Sequence, residues 1–235
     1  MLEALDSKVK SKILKFLSAN KEREFTITEI ANFSKVSKSR AYEILEDLER
    51  REILISKRFG RSVVYSLNLS NENTKNILRF IEKTEEKIKI ILQEFLEESK
   101  KKFEKNLVSI VLFGSYARGT YKETSDIDLL VVAKELPEKW NERKKLFEEI
   151  SEKIYKKYGK YLEVIPLTPK ELSLNLRDSS SLFITFVIGH KVLFDDGTFA
   201  REFREFSSSL ANKNFVYYEG RDKWEIRKEA IKYLH

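Results

Sequence analysis

Two periodicities alternate along this chain. Over residues 5–19, Val9, Ile13, Leu14, Phe16 and Leu17 recur at helical spacing and predict an amphipathic helix. Thr26 or Thr28 can cap a second helix over 28–33, with Glu29 near its positive end. The turn Ser34-Lys35-Val36 leads to a third helix over 37–51, whose apolar stripe is Tyr42, Ile44, Leu45 and Leu48. The pattern then becomes strand-like, in runs 53–59 and 62–67 around Gly60-Arg61, and predicts a hairpin. Residues 71–105 hold no Gly or Pro and many Glu and Lys. One helix of roughly 50 Å follows from that length. Along it Ile77, Ile81, Thr84, Ile88, Ile91 and Phe95 form a heptad-like seam. Such a seam suits a dimerising coiled coil or, equally, packing on the chain's own domains.

Beyond residue 105 short apolar runs dominate. Residues 109–113 and 129–132 read as buried strands, and 160–167 as a third strand with Glu163 at its centre. Residues 138–158 read as a helix with Trp140, Leu146, Phe147, Ile150 and Ile154 inward. Residues 181–194 read as a helix end followed by a strand. Residues 199–235 read as helical in two pieces, with Tyr217, Trp224, Ile226, Ile231 and Tyr233 in a core or interface. The chain is therefore expected to be α+β, in four segments: 1–70, 71–105, 106–198 and 199–235.

Composition narrows the classes of chemistry. The 235 residues are 41% hydrophobic and 35% charged, which suits packed cores in a soluble protein. Cysteine is absent, which excludes disulfides, thiolate metal sites and cysteine nucleophiles. The two histidines, His190 and His235, are too few for a histidine-built metal centre. No basic start precedes an apolar stretch, and the longest apolar region, 182–194, is interrupted by Thr185, Gly189, His190 and Lys191. No membrane association is expected, and the cytoplasm is the expected location. The net charge of +7 permits a polyanionic partner without requiring one.

The candidate chemistry lies between residues 109 and 132. An apolar strand ends at Gly114-Ser115, a short helix runs through Ala117 and Arg118, and a second apolar strand opens on Ser125-Asp126-Ile127-Asp128. Alternation along a strand puts Asp126 and Asp128 on one face and Ile127 on the other. Adjacent carboxylates repel unless a cation lies between them, and hard oxygen ligands favour Mg²⁺ together with phosphate oxygens. Gly114 permits a sharp turn and close approach of a phosphate. Ser115 adds a hydroxyl beside the amides of a helix start. Arg118 is one turn further on, within reach of a phosphate oxygen.

This segment resembles the DNA polymerase β-like nucleotidyltransferases, particularly their minimal branch, whose pattern is G-S-x-A-R-G followed by S-D-[IVL]-D-L. Gly114, Ser115, Ala117, Arg118 and Gly119, then Ser125, Asp126, Ile127, Asp128 and Leu129, match it. The resemblance is close over 107–132 and looser to about 197. It implies a mixed sheet flanked by helices, two Mg²⁺ ions, and transfer of a nucleoside monophosphate from a nucleoside triphosphate, with ATP expected, to an acceptor. A protein hydroxyl, a nucleic-acid end and a small molecule all remain open as acceptors. Relatives of the branch also act as antitoxins by modifying a partner toxin. The superfamily takes a third carboxylate from a later strand, and Glu163 is the candidate for it, though many relatives carry Asp there. Asp195-Asp196-Gly197-Thr198 reads as an ordinary turn instead.

Residues 1–70 resemble the winged helix-turn-helix domain of prokaryotic regulators, through Thr28-Glu29-Ile30-Ala31, Ser37-Lys38-Ser39-Arg40-Ala41-Tyr42 and Leu45-Glu46-Asp47-Leu48. The resemblance implies double-stranded DNA as a partner. Lys38, Ser39 and Arg40 would then meet the major groove, and Lys57, Arg58 and Arg61 the phosphates beside the wing. Fourteen Lys/Arg against ten Asp/Glu over 1–70 leave protein docking or dimerisation as the alternative use of that domain. A regulator that senses nucleotide without transferring it is the alternative for the whole chain.

Overall fold

The computed structural model describes residues 7–178, 181–212, 215–218 and 223–226, and divides into two units, Met1–Ile88 and Lys89–His235. The first begins with α1 (Lys8–Ala19), whose N-cap Ser7 accepts a hydrogen bond from the Lys10 amide. A two-residue strand, β1 (Phe25–Thr26), leads into α2 (Ile27–Ser34). Thr26, one of the two threonines expected to cap this helix, does so. Its hydroxyl accepts from the Glu29 amide while the Glu29 carboxylate accepts from the Thr26 amide, a reciprocal capping box. After α3 (Lys38–Arg50) come β2 (Leu54–Phe59) and β3 (Ser62–Leu67). These form an antiparallel hairpin whose tip is Gly60, at φ +59°, and β1 pairs on its other side. Ile13, Leu14, Leu17, Ile30, Leu45, Leu48 and Leu54 make the shared core.

The long helix is present as α4 (Glu72–Phe103). Its seam is consumed inside the chain. Ile77 and Ile81 are buried in the core of the first unit, and in the second Ile91 and Phe95 are fully buried, with the Phe95 ring stacked on Phe147. Of the two uses open to that pattern, packing on the chain's own domains is the one observed.

In the second unit a single 3₁₀ turn (Glu104–Asn106) leads to β4 (Leu107–Phe113), α5 (Gly114–Arg118), β5 (Ile127–Ala133), α6 (Trp140–Tyr158), β6 (Leu162–Leu167), α7 (Pro169–Arg177), α8 (Ser181–Ile188), β7 (Lys191–Asp195) and α9 (Thr198–Asn212). The strands form one mixed sheet in the order β6-β5-β4-β7, with β5 and β6 parallel and the other neighbours antiparallel. One face, carrying Val111, Phe113, Leu130, Val132 and Leu167, is covered by Leu172, Leu176, Phe183, Phe186, Phe199 and Phe206 from α7, α8 and α9. Ile127, Leu129 and Val131 alternate to the other face and are fully buried. Because both faces are covered, β5 reads as a continuous apolar run and not as an alternating one.

Three expectations change. Tyr42, placed in the apolar stripe of the third helix, is exposed on α3, whose buried side is Ala41, Ile44, Leu45 and Leu48. Trp140, expected inward, opens α6 with an exposed ring, while Phe147, Ile150 and Ile154 fill the buried stripe. The tail is not helical in two pieces: after α9 come β8 (Phe215–Tyr218) and β9 (Lys223–Ile226), an antiparallel pair. Aromatic and β-branched residues favour extended backbone, and Gly220 lies between the two runs, so local preference opposes a helix there. Tyr217, Trp224 and Ile226 lie on this hairpin, whereas Ile231 and Tyr233 lie outside the described residues. No helix among the described residues is long and apolar enough to cross a membrane.

Candidate active site

At one end of the sheet, β4 delivers Gly114-Ser115, β5 delivers Asp126 and Asp128, and β6 delivers Glu163. Phe113 pairs with Asp128 across the antiparallel ladder, and Asp128 pairs with Glu163 across the parallel one. Neighbouring residues in register share a face, so Asp128 and Glu163 point the same way, and Asp126 precedes Asp128 by one strand period. Asp126 is exposed, Asp128 half-buried, and Ile127 between them fully buried.

The turn at Gly114 is shaped around Asp128. Gly114 stands at φ +67°, and a Cβ built there would lie 1.8 Å from Asp128 Oδ2. No other residue fits, for reasons of both conformation and space. The Ser115 amide lies beside the Asp128 carboxylate and favours its charged form.

Charge at the site is unbalanced. Burial pushes the Asp128 carboxyl above the ordinary aspartate range, and the negative charges of Asp126 and Glu163 push it further, against the opposing Arg118 guanidinium and the Ser115 amide. Arg118 is backed by Gly189, where a Cβ would meet its Cγ at 3.0 Å. A hard divalent cation fits two crowded carboxylates of this kind. Glu163 is exposed and its Oε1 accepts from Lys144 Nζ of α6 at 3.1 Å. Among the described residues no three His, Cys, Asp or Glu side chains are gathered as a ready metal cluster. Asp126 and Asp128 are therefore placed to hold a cation, while Glu163 is engaged by a lysine.

The segment before Asp126 is tied down at several points. The Tyr116 and Tyr121 rings stack at 4.2 Å, and Lys160 Nζ donates to the Glu123 carbonyl while lying 5.8 Å from the Tyr116 ring centroid. Ser125 Oγ accepts from the Lys122 amide, and the Ile127 amide donates to the Tyr161 carbonyl at 3.0 Å. Burial, then the charge of Asp126, pushes the Tyr116 phenol up to about 12, and its hydroxyl has no hydrogen-bond partner among the described residues. Tyr116, Lys144 and Lys160 are given no role from the sequence, and Gly189 enters only as an interruption of an apolar run. Asp195, expected to open an ordinary turn, is the last residue of β7, and its carboxylate accepts from Ser109 Oγ and from the Phe199 and Ala200 amides at the start of α9.

In the first unit Lys38, Ser39 and Arg40 are exposed on the first turn of α3, capped by Ser37. Lys57, Arg58 and Arg61 are exposed along the hairpin and its tip. Arg40 pairs with Glu43 and Lys57 with Glu24, so two of these charges are partly spent.

The electrostatics yield a stability test. A carboxyl whose folded pKa is raised favours folding in acid, and that contribution is lost as pH rises through the folded value. At neutral pH, without divalent cation, ionised Asp128 therefore opposes folding, and Asp128→Asn should unfold at higher urea than the parent. The gain should shrink in acid, below the ordinary aspartate range. A variant less stable than the parent at neutral pH would refute this account of the site.

Residues 88–187 match the model of the nucleotidyltransferase domain family. The chain is 36% identical over 137 residues to MJ1305 of Methanocaldococcus jannaschii, named as a candidate protein adenylyltransferase, covering 58% of this chain and 92% of that protein. MJ1379 of the same organism, named likewise, is 36% identical over 94 residues, covering 40% of this chain and 75% of its own. Among solved structures, a chain of a toxin–antitoxin crystal structure with AMP-PNP is similar at 22% identity and a TM-score of 0.36, over 50% of this chain and 86% of that one. With 92% of MJ1305 spanned at 36% identity, this chain belongs to the nucleotidyltransferase family and is an enzyme of that superfamily.

Proposed function

We propose that the chain moves AMP from ATP to a protein hydroxyl, at a site formed by Gly114, Ser115, Arg118, Asp126, Asp128 and Glu163. The observation that carries this is the half-buried Asp128 carboxylate, pressed into the space a Gly114 Cβ would fill and crowded by the charge of Asp126. The protein acceptor is supported by the names of the relatives MJ1305 and MJ1379. Mg²⁺, two ions by the family resemblance, would neutralise the triphosphate and the departing pyrophosphate.

The chain's own residues divide the remaining work. Asp126 and Asp128 would hold the divalent cations and, through them, set where the triphosphate lies. Ser115 Oγ and the Arg118 guanidinium hold the phosphates away from the α position, so that the α-phosphorus faces the open side of the sheet end. The acceptor oxygen attacks that phosphorus, the bond to the pyrophosphate oxygen breaks, and the acceptor proton passes to the Glu163 carboxylate. Orientation of this kind supplies most of the catalysis in phosphoryl-group chemistry.

The test is incubation with α-labelled ATP, Mg²⁺ and cell lysate. Label should enter protein with the parent chain and fall to background with Asp126→Asn or Asp128→Asn, while both variants keep the parent far-ultraviolet circular dichroism. Equal labelling by all three removes the assignment. A chain that binds ATP but labels nothing would instead be the nucleotide-sensing regulator.

For the first unit we propose a DNA-binding winged helix, with α3 in the major groove and the β2–β3 hairpin on the backbone. Support comes from the order of three helices and a hairpin and from the exposed Lys38, Ser39, Arg40, Arg58 and Arg61. Arg58→Ala with Arg61→Ala should weaken binding to a mixed-sequence duplex and reduce the salt slope by about two. Fluorescence anisotropy across a salt series measures this. Absence of binding at low salt, or an unchanged slope, would leave the domain to protein docking.

A further inference from the structure

Lys144 has no role in the reading above, yet it holds the one acid of the site that lies on β6. Its ammonium donates to Glu163 Oε1 at 3.1 Å, and Glu163 is the in-register partner of Asp128. The neighbouring residue on α6, Arg143, is buried and committed to Glu171 at 2.7 Å, so the helix is fixed at this point while Lys144 remains at its surface. Lys144 and Glu163 are both about half exposed, and a pair of that kind is weak enough to exchange partners.

We propose that Lys144 is a built-in competitor for Glu163: it neutralises this carboxylate in the cation-free protein and releases it when a divalent cation binds at Asp126 and Asp128. This rests on the nucleotidyl-transfer reading of the site. Three carboxylates on one sheet end would repel one another, and the Arg118 guanidinium offsets part of this at Asp128. A lysine on the third relieves part of that repulsion until the cation arrives. The same contact must be broken for Glu163 to complete the acid set, so it lowers the affinity for the cation. Lys144 is thus a positioning residue whose effect passes wholly through Glu163.

Mn²⁺ serves as the probe, with free ion counted by electron paramagnetic resonance in titrations of the full chain. Lys144→Met should tighten Mn²⁺ binding about two- to fivefold, the range an exposed ion pair spans. Glu163→Gln should weaken binding, and adding Lys144→Met to it should change nothing further. Lys145→Met, which removes the same charge from the next residue of α6, should leave affinity within twofold of the parent. The proposal is overturned if Lys144→Met leaves binding unchanged or weaker, if Lys145→Met gives an equal gain, or if the gain survives in the Glu163→Gln background. A parent chain that binds no Mn²⁺, with or without ATP, overturns the metal-dependent reading itself. Equal affinities of the parent and Lys144→Met overturn only the part assigned to the lysine.

Discussion

The approach of the Asp128 carboxylate to the backbone at Gly114 is the contact on which the rest of the second unit's chemistry depends. Two strands of an antiparallel pair run side by side to their ends, and at that point a side chain of β5 occupies the volume that any residue but glycine would need. The Ser115 amide then closes on the same carboxylate. These two contacts fix the bend after β4 and, through it, the direction of α5 and the position of Arg118. They also take Asp128 half out of water while leaving Asp126 exposed. The acid is thus part of the packing of the turn.

That arrangement carries an electrostatic penalty. Burial and two like charges disfavour ionised Asp128, and Arg118 offsets only part of this. A fold selected for stability alone would place an apolar residue or an amide here. On the proposed function, a cation and a triphosphate would replace the missing compensation, a common trade between stability and function at active sites. The tethers on the preceding segment serve the same end. Stacked Tyr116 and Tyr121, and Lys160 on the Glu123 carbonyl, hold the chain that brings Asp126 to the mouth of the site.

Much of this is legible in the sequence wherever the physics is local. Alternation places Asp126 and Asp128 together because a strand has a period of two, and the uninterrupted run after them marks a strand covered on both faces. Thr26 with Glu29 spells a cap within four residues. Contacts that cross the fold are not legible in this way. Gly114 reads as a turn residue, but the carboxylate that makes glycine necessary arrives from another strand. Lys144 stands among Arg143 and Lys145, and nothing in that run shows which of the three turns inward, which reaches Glu163 and which faces water. The seam from Ile77 to Phe95 is the same pattern whether it meets a second chain or its own, and only the three-dimensional packing decides. At 215–218 and 223–226 a preference for extended backbone prevailed over the helical reading of the tail, because aromatic and β-branched side chains cluster there.

The most direct test of the central claim is a crystal structure of the chain with Mg²⁺ and a non-hydrolysable ATP analogue. Metal density against the carboxylates of both Asp126 and Asp128, with the triphosphate lying across the Gly114-Ser115 bend, is the predicted result. An ordered nucleotide bound elsewhere, with those two acids still in water and no ion beside them, would contradict it.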